Sequence, residues 1–453
     1  MGRGRRGPKP PIEVRLDRLG PKGALGMDES GKEWRVRGAP VGALVQAQPG
    51  RKQIARRLAM LEPAPDQVSP LCPVFGRCGG CQLQEMPLPR QRAEKQRMVE
   101  RLLSAPSQPI LGAPDAYGYR NKLELSFGVR AYLAEHEKDT GVGEGHFLGF
   151  HPPGWFSKIV PIDGCPLASE DMNRVIAAVA EMSLEPAWDN RAHEGGWRHL
   201  VIREGASLCV TLVTSSSVPR DQVAQVAAVL AELPRMGGVI WVVTDRLNDV
   251  AQGTVQEVFH GVPWVEQELG GVPMRLPHDA FFQVNAAGAQ VLLQVIGEAL
   301  GTPQGATLLD LYCGVGALGL ALGEGYDRVI GIDTTPSAIQ TAKDNAQAAQ
   351  VSGEWHTGEV EKVLPGLNLD GTSHVVVDPP RVGLHPKAAQ FLATLQAQTL
   401  VYVACNPASL GRDRSVLEAG GWVLDDLWTV DLFPQTPHVE AVARFIRPTE
   451  KSA

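Results

Sequence analysis

The spacing of hydrophobic positions changes character along the chain. From Ile12 to about Leu61, alternating runs (IEVRLDRL, ALVQAQ and RKQIARRLAML) are separated by glycine turns, with GPKGALGMDESGKEWRVRG after the first. A period of two marks half-buried strands, and five short strands in so brief a stretch predict a small closed barrel, a platform suited to single-stranded nucleic acid. The Pro-rich EPAPDQVSP is a linker, and Leu88–Leu103 has the spacing of a charged amphipathic helix. Residues 117–275 read largely as strands (YGYRNKLELSFGV, FLGFHPPGWFSKIVPI, WRHLVIRE, LCVTLVT and VIWVVTD), with helices expected near Glu170–Met182 and Arg220–Leu233. From Ala306 onward strands alternate with helices: TLLDLY, RVIGID, EWHTGE, HVVVDPP and TLVYVACNP are separated by runs such as TPSAIQTAKDNAQAAQ and PKAAQFLATLQAQ. That alternation predicts a doubly wound parallel sheet, and WVLDDLWTVDLFPQTPHVEAVARFIR adds a terminal hairpin.

These readings divide the chain into a disordered basic tail (1–10), a barrel (11–62), a β-rich central domain with a cysteine segment (63–275) and an α/β domain (276–453). The helix at 88–104 is expected against the last of these. At 453 residues the chain has ample length for several cores. No window approaches a membrane span and the amino terminus lacks an apolar run, which points to the cytoplasm and away from any membrane. The net charge of −7 is unevenly spread: residues 1–60 hold 14 Lys+Arg against 5 Asp+Glu, leaving −16 on the rest. A basic module on an acidic body fits an appended nucleic-acid-binding domain.

The candidate chemistry lies at strand ends. Cys405 closes an apolar strand just before Asn406-Pro407. The carboxyl edge of a parallel sheet is where ligands bind, so Cys405 is a candidate nucleophile, although a lone cysteine is more often a small core residue. Gly314, Gly316 and Gly319 form a G-x-G-x-x-G pattern between strand and helix, and Asp333 ends the next strand, where it can accept ribose hydroxyls. These features alone fit either a dinucleotide or S-adenosylmethionine. Asp378-Pro379-Pro380 at the end of the fourth strand and Cys405 at the end of the fifth favour a nucleobase methyltransferase, since a dehydrogenase uses neither. Cys72, Cys78 and Cys81 are separated by five and then two intervening residues, and Cys165 repeats the Cys-Pro dipeptide of Cys72. Together they make a four-thiolate set suited to zinc or an iron–sulfur cluster, without the spacing of radical enzymes. Tyr117, Arg120, Asn121, Lys122, Arg198 and His199 are candidate RNA contacts, or ordinary strand-edge polarity.

The runs FGRCGGCQLQ, DAFFQVN, DLYCGVG, DPPRVGL, ACNPASL and FPQTPHVE resemble the signature segments of the RNA uracil-5-methyltransferases across nearly the whole chain. The resemblance implies methyl transfer from S-adenosylmethionine to C5 of a uridine. Cys405 would add covalently to C6, and Glu440 would remove the C5 proton. It implies Gln283, Tyr312, Gly314, Gly316, Asp333, Glu359 and Asp378 as pocket residues, with Glu359 near the adenine. It also implies a [4Fe-4S] cluster on Cys72, Cys78, Cys81 and Cys165. The amino-terminal barrel, similar to a TRAM domain, and the cysteines resemble the branch acting on 23S ribosomal RNA as a monomer. A transfer-RNA target is the alternative. A non-catalytic ribosome-assembly factor and a nicotinamide-dependent oxidoreductase are the rivals outside the family. Ala317, Asp333 and Ala404 depart from the usual Asn, Glu and Ser at their positions.

Overall fold

The computed structural model describes residues 9–133, 143–182, 184–303 and 307–448. Most of the basic tail expected to be disordered, residues 1–8, lies outside them. Strands β1 (Ile12–Gly20), β2 (Gly23–Asp28), β3 (Glu33–Val36), β4 (Leu44–Pro49) and β5 (Ile54–Glu62) close into a barrel in the order β1-β2-β3-β5-β4. Alternation turns Val14, Leu16, Trp34, Val36 and Val45 inward and Glu13 and Arg15 outward. A Cβ on Gly26 would lie 2.0 Å from the Arg15 carbonyl oxygen, so only glycine permits β1 and β2 to approach there.

Helix α1 (Leu88–Leu103) follows, and β6 (Leu111–Gly112) joins the edge of the carboxyl-terminal sheet beside its last-but-one strand. The central part is a seven-stranded sheet of β7 (Lys122–Arg130), β8 (Glu144–Phe150), β9 (Val160–Pro161), β10 (Trp197–Glu204), β11 (Leu208–Thr214), β12 (Met236–Val243) and β13 (Thr254–Gly261). Helices α2 (Glu170–Glu181) and α3 (Arg220–Ala231) bury Val175, Ile176 and Leu230 against Leu200, Ile202 and Leu212 on one face. The opposite face contributes Val201, Val213 and Ile240 to a core shared with helix α4 (Ala286–Leu300) of the carboxyl-terminal domain. The hairpin of β14 (Trp264–Leu269) and β15 (Val272–Pro277) bridges the two.

This two-sided burial corrects part of the sequence reading. Asn121, Arg198 and His199, considered as RNA contacts, are buried. Arg198 donates to the carbonyls of Thr244, Arg246 and Asn248 and lies over the Trp188 ring, and burial lowers the pKa of His199 to about 4. A strand in the middle of a sheet packed on both faces has no solvent-facing side, so its polar residues brace loops rather than meet a ligand.

The third unit carries an eight-stranded sheet in the order β18-β17-β16-β19-β20-β22-β21-β6. Its strands are β16 (Thr307–Leu311), β17 (Arg328–Asp333), β18 (Gly353–Thr357), β19 (Thr372–Val377), β20 (Thr399–Ala404), β21 (Val423–Asp431) and β22 (Glu440–Ile446), with β6 at the edge. β16 through β20 are parallel, and β22 runs antiparallel to both β20 and β21. The direction of winding reverses between β16 and β19, which opens a crevice at their carboxyl ends. This is the Rossmann-like α/β arrangement expected from the alternating pattern. No helix of the described residues is long and apolar enough to cross a membrane.

Helix α1 belongs physically to this unit. Its Lys95 ammonium is fully buried, 2.5 Å from Asp431 Oδ1 at the end of β21 and 2.9 Å from the Phe433 carbonyl. Burial lowers the Lys95 pKa, and the Asp431 carboxylate opposes that shift. Removing Lys95 leaves the buried Asp431 carboxylate with Arg92, 3.5 Å away, as its remaining cation, so Lys95→Met is expected to cost about 3 kcal/mol in chemical denaturation. A loss below about 1 kcal/mol would contradict the assigned ionisation of this pair.

Candidate active site

The crevice between β16 and β19 is shaped by a sharp turn. Tyr312, Gly314 and Gly316 have φ of 63°, 55° and 80°. Glycine adopts that region freely, whereas Tyr312 is held there at a cost that marks a constrained position. A Cβ on Gly316 would press on the Trp355 ring at 2.9 Å, while one on Gly314 would meet nothing within 4 Å. The loop is therefore packed on one side and open on the other, where a ligand can approach its backbone. Asp333 fixes it: one carboxylate oxygen accepts from Gly314 N at 3.0 Å and the other from Thr335 N at 2.8 Å. Under the loop, Asp310 accepts from Gly319 N at 2.8 Å, and its Oδ1 is buried without a partner. Burial raises the Asp310 pKa to about 7, and Asp378 and Asp333 push the same way. Asp310 was legible only as an acid inside the apolar run TLLDL.

The next groups come from three chain segments. In the antiparallel register of β20 and β22, Ala404 pairs with Ala441, so the following step sets Cys405 across from Glu440. In the parallel register of β19 and β20, Val377 pairs with Tyr402, so Asp378 leaves its strand beside them. Thiol and both carboxyls thus share the carboxyl edge of the sheet. Burial raises the Cys405 pKa to about 11, with Glu440 and then Asp378 adding repulsion and Arg381 opposing them. Glu440 is 2 % exposed, its Oε2 has no hydrogen-bond partner, and burial followed by Asp378 holds its pKa well above the carboxylate range. Burial raises the Asp378 pKa as well. Arg381 meets His438 Nδ1 at 3.2 Å, and its carbonyl accepts from Asn406 Nδ2 at 3.0 Å, so the nearby cation is tied to both flanks of the site. Arg381 and His438 were not singled out in the sequence, where the one signal was a cation following Asp-Pro-Pro.

The loop that delivers Glu440 is clamped from every side. Gln435 takes a left-handed φ of 69°. Its carbonyl accepts from Gln82 N and Leu83 N at 2.8 and 3.0 Å, its side-chain Oε1 accepts from Gln91 Nε2 of α1 at 2.9 Å, and its backbone N donates to Gln91 Oε1 at 2.8 Å. Tyr119 donates to the Pro434 carbonyl at 2.9 Å, and Asn285, which caps α4, donates to the Leu432 carbonyl at 3.1 Å. Gln283 lies on the segment entering α4, where its carbonyl accepts from Asn121 Nδ2 at 3.1 Å. Glu359, expected near the adenine, follows β18, is exposed and pairs with Lys362 at 2.8 Å.

Cys72, Cys78, Cys81 and Cys165 are half-buried and within electrostatic reach of one another. Burial, with the other thiols adding, pushes Cys78 to about 11 and Cys81 to about 12. Their backbone is braced: Cys72 N donates to Gln84 Oε1 at 2.9 Å, and Asn173 clamps the Cys165 backbone at 2.7 and 3.2 Å. Among the described residues, no three His, Cys, Asp or Glu side chains stand in position to hold one metal ion.

A Rossmann-like sheet with a terminal antiparallel hairpin, an open glycine loop and a thiol at the fifth strand end defines a methyltransferase. The model of the tRNA (uracil-5-)-methyltransferase family matches residues 271–447. An uncharacterized RNA methyltransferase of Chlorobaculum tepidum is 36% identical over 416 residues, covering 87% of this chain and 86% of that protein. A tRNA (uracil(54)-C(5))-methyltransferase of Pyrococcus horikoshii is 31% identical, over 87% of this chain and 90% of its own. The crystal structure of Pyrococcus abyssi tRNA (uracil-54, C5)-methyltransferase, in complex with S-adenosyl-L-homocysteine, superposes with a TM-score of 0.77 at 25% identity, covering 96% of this chain and all of that one. The chain belongs to the RNA uracil-5-methyltransferase family and is an S-adenosylmethionine-dependent enzyme of that class.

The electrostatics make a reactivity prediction for the free enzyme. A thiol with a pKa near 11 is less ionised at neutral pH than free cysteine, and its greater intrinsic nucleophilicity recovers only part of the loss. Alkylation of Cys405 at pH 7.5, followed on its own peptide by mass spectrometry, is expected to be about tenfold slower than that of free cysteine and to rise with pH beyond 9. Where Glu440 is ionised it repels the thiolate, so Glu440→Gln should shift the alkaline part of this profile to lower pH; Arg381→Ala should shift it higher. A Cys405 that alkylates faster than free cysteine at pH 7.5 would contradict the assignment.

Proposed function

We propose that Cys405 is the nucleophile and Glu440 the base in methylating C5 of an RNA uridine. The observation that carries this reading is the register that sets a thiol opposite a buried carboxyl, with Asp378 alongside. Uracil C5 is too weak a nucleophile to be alkylated directly. Addition of the Cys405 thiolate to C6 moves the C5–C6 electrons onto the C4 carbonyl as an enolate and makes C5 nucleophilic. S-adenosylmethionine, when bound, supplies an electrophilic methyl group to that carbon. Glu440 then takes the C5 proton, the C5–C6 double bond re-forms, and the sulfur–C6 bond breaks to return the thiolate. In its ionised form, a carboxyl whose pKa is raised by burial is a stronger base than an exposed one. Asp378 is suited to hydrogen-bond the uracil edge, and in its protonated form it would be a donor.

The open backbone at Gly314, with Gly316, Tyr312 and Asp333, fits S-adenosylmethionine; Gln283 would close over it, and Glu359 would lie at the outer end. The uridine must be unpaired or flipped, since C6 is closed off within a stack. The same reading assigns a [4Fe-4S] cluster to Cys72, Cys78, Cys81 and Cys165. Burial raises the pKa of the four gathered thiols against the opposing pull of Arg77 on Cys72 and of Arg120 on Cys78 and Cys165, and a polynuclear cluster accepts thiolates set further apart than one ion does. Its role would be structural, because the cysteine segment bonds Gln435 through Gln82 and Leu83.

For the RNA, the barrel and cysteines support 23S ribosomal RNA. The full-length likeness to an archaeal enzyme named for uracil-54 of tRNA supports transfer RNA as the second reading. Transfer of labelled methyl to unmodified 23S, 16S and transfer RNA, followed by digestion to nucleosides, separates them. Labelled 5-methyluridine is expected in one RNA, with Cys405→Ala reduced on the order of 10⁴-fold or more. Glu440→Gln should stall after addition and leave enzyme joined to RNA on a denaturing gel. Label in another nucleoside, or activity surviving Cys405→Ala, would refute the mechanism. Purified protein free of iron and of visible absorbance, with activity intact, would refute the cluster.

A further inference from the structure

The loop between β8 and β9 carries two adjacent aromatic side chains that no core accounts for. Trp155 is 53% exposed and Phe156 72% exposed. The loop is nonetheless built to hold them. Trp155 N donates to the Pro152 carbonyl at 3.1 Å, and Lys158 N to the Trp155 carbonyl at 3.2 Å. His151 Nδ1 meets the Lys158 carbonyl at 2.9 Å, Asn190 Nδ2 donates to the Phe156 carbonyl at 2.9 Å, and Arg191 Nε donates to Ser157 Oγ at 3.2 Å. The rings are presented on a fixed backbone rather than left on a loose tip.

The surroundings are cationic. The Lys158 ammonium stands 6.0 Å from the Trp155 ring and 5.9 Å from that of Tyr132. Arg191 is exposed beside them. Two nearby acids are engaged: Asp189 binds Arg130 at 2.6 Å, and Asp249 binds His151 at 2.8 Å. The loop also connects to the active site. Gly79 N donates to the His151 carbonyl at 3.3 Å, seating the loop on the cysteine segment. Arg120 lies within electrostatic reach of both Cys78 and His438, and His438 meets Arg381 beside Cys405. Arg381, His438, Arg120 and the cysteine segment therefore link the site to this loop.

Resting on the reading that RNA is the substrate, we propose that Trp155 and Phe156 form a base-stacking platform that holds an unpaired nucleotide flanking the target uridine. Every base offers an aromatic face, and cations beside the rings neutralise the accompanying phosphates. The target lies in RNA that is already unpaired or opened, so single-stranded neighbours are available to it.

The test compares the wild type, the double variant Trp155→Ala/Phe156→Ala, and the aromatic-retaining variant Trp155→Phe. Binding is read with an end-labelled, unstructured RNA oligonucleotide and with its duplex, alongside RNA methylation kinetics and S-adenosylmethionine affinity. The double variant should bind the oligonucleotide at least about tenfold more weakly and raise KM for RNA similarly. Its cofactor affinity and its kcat at saturating RNA should stay at wild-type values. Trp155→Phe should retain most of the affinity, and preference for oligonucleotide over duplex should narrow only in the double variant. A double variant that binds like the wild type, while the wild type methylates RNA, would overturn the platform and leave the RNA reading standing. A fall in kcat with RNA affinity unchanged would overturn it too. A wild type that binds cofactor but neither binds nor methylates RNA would overturn both.

Discussion

The pairing of β20 with β22 is the constraint on which the rest of the site depends. These strands come from opposite sides of a long excursion through α9 (Pro407–Ala419) and β21, and their register sets Cys405 against Glu440. A slip of one residue would turn either side chain to the other face of the sheet. The register is reinforced from outside: the loop entering β22 is held by Lys95 and Gln91 of α1, by Tyr119, by Asn285 and by the cysteine segment through Gln435. Helix α1 precedes the central domain in sequence but works for the last one. The cysteine segment, remote in sequence from the catalytic strands, is two hydrogen bonds from the loop that carries the proposed base.

The same geometry creates an electrostatic tension. A thiol and two carboxyls at one half-buried edge cannot all ionise together, and burial raises all three. Arg381 is the cation that opposes this on both Cys405 and Glu440. The resting state is thus a protonated thiol; addition begins once that thiol gives up its proton to solvent, and it disperses the thiolate's charge onto the pyrimidine carbonyl. Such an arrangement protects the cysteine from indiscriminate reaction while leaving it able to add to an activated ring.

Much of this was legible in the sequence because the governing signals are local. The period of two marked the barrel strands, the alternation of strand and helix marked the doubly wound sheet, and Gly314, Gly316 and Cys405 sit where turns and strand ends announce them. What was not legible depends on tertiary packing. Arg198 and His199 sit in WRHLVIRE, a run whose appearance is the same whether one face or both is covered; the burial of the second face against α4 cannot be read from that strand. Lys95 looked like one more charge on an amphipathic helix, and only the position of Asp431, over three hundred residues away, makes it a buried ion. Asp310, Arg381 and His438 owe their influence to neighbours brought in from other strands. Trp155 and Phe156 read as part of an extended run, and their exposure follows from the loop that projects them.

The central claim is covalent chemistry at Cys405, and the most direct measurement uses RNA in which 5-fluorouridine replaces uridine. With fluorine at C5 there is no proton for a base to remove, so addition and methylation can proceed while elimination cannot. Incubation with S-adenosylmethionine, digestion and mass spectrometry should then find the peptide containing Cys405 carrying a methylated fluorouridine nucleotide. An adduct on another residue, or none from an enzyme that methylates ordinary RNA, would contradict the account.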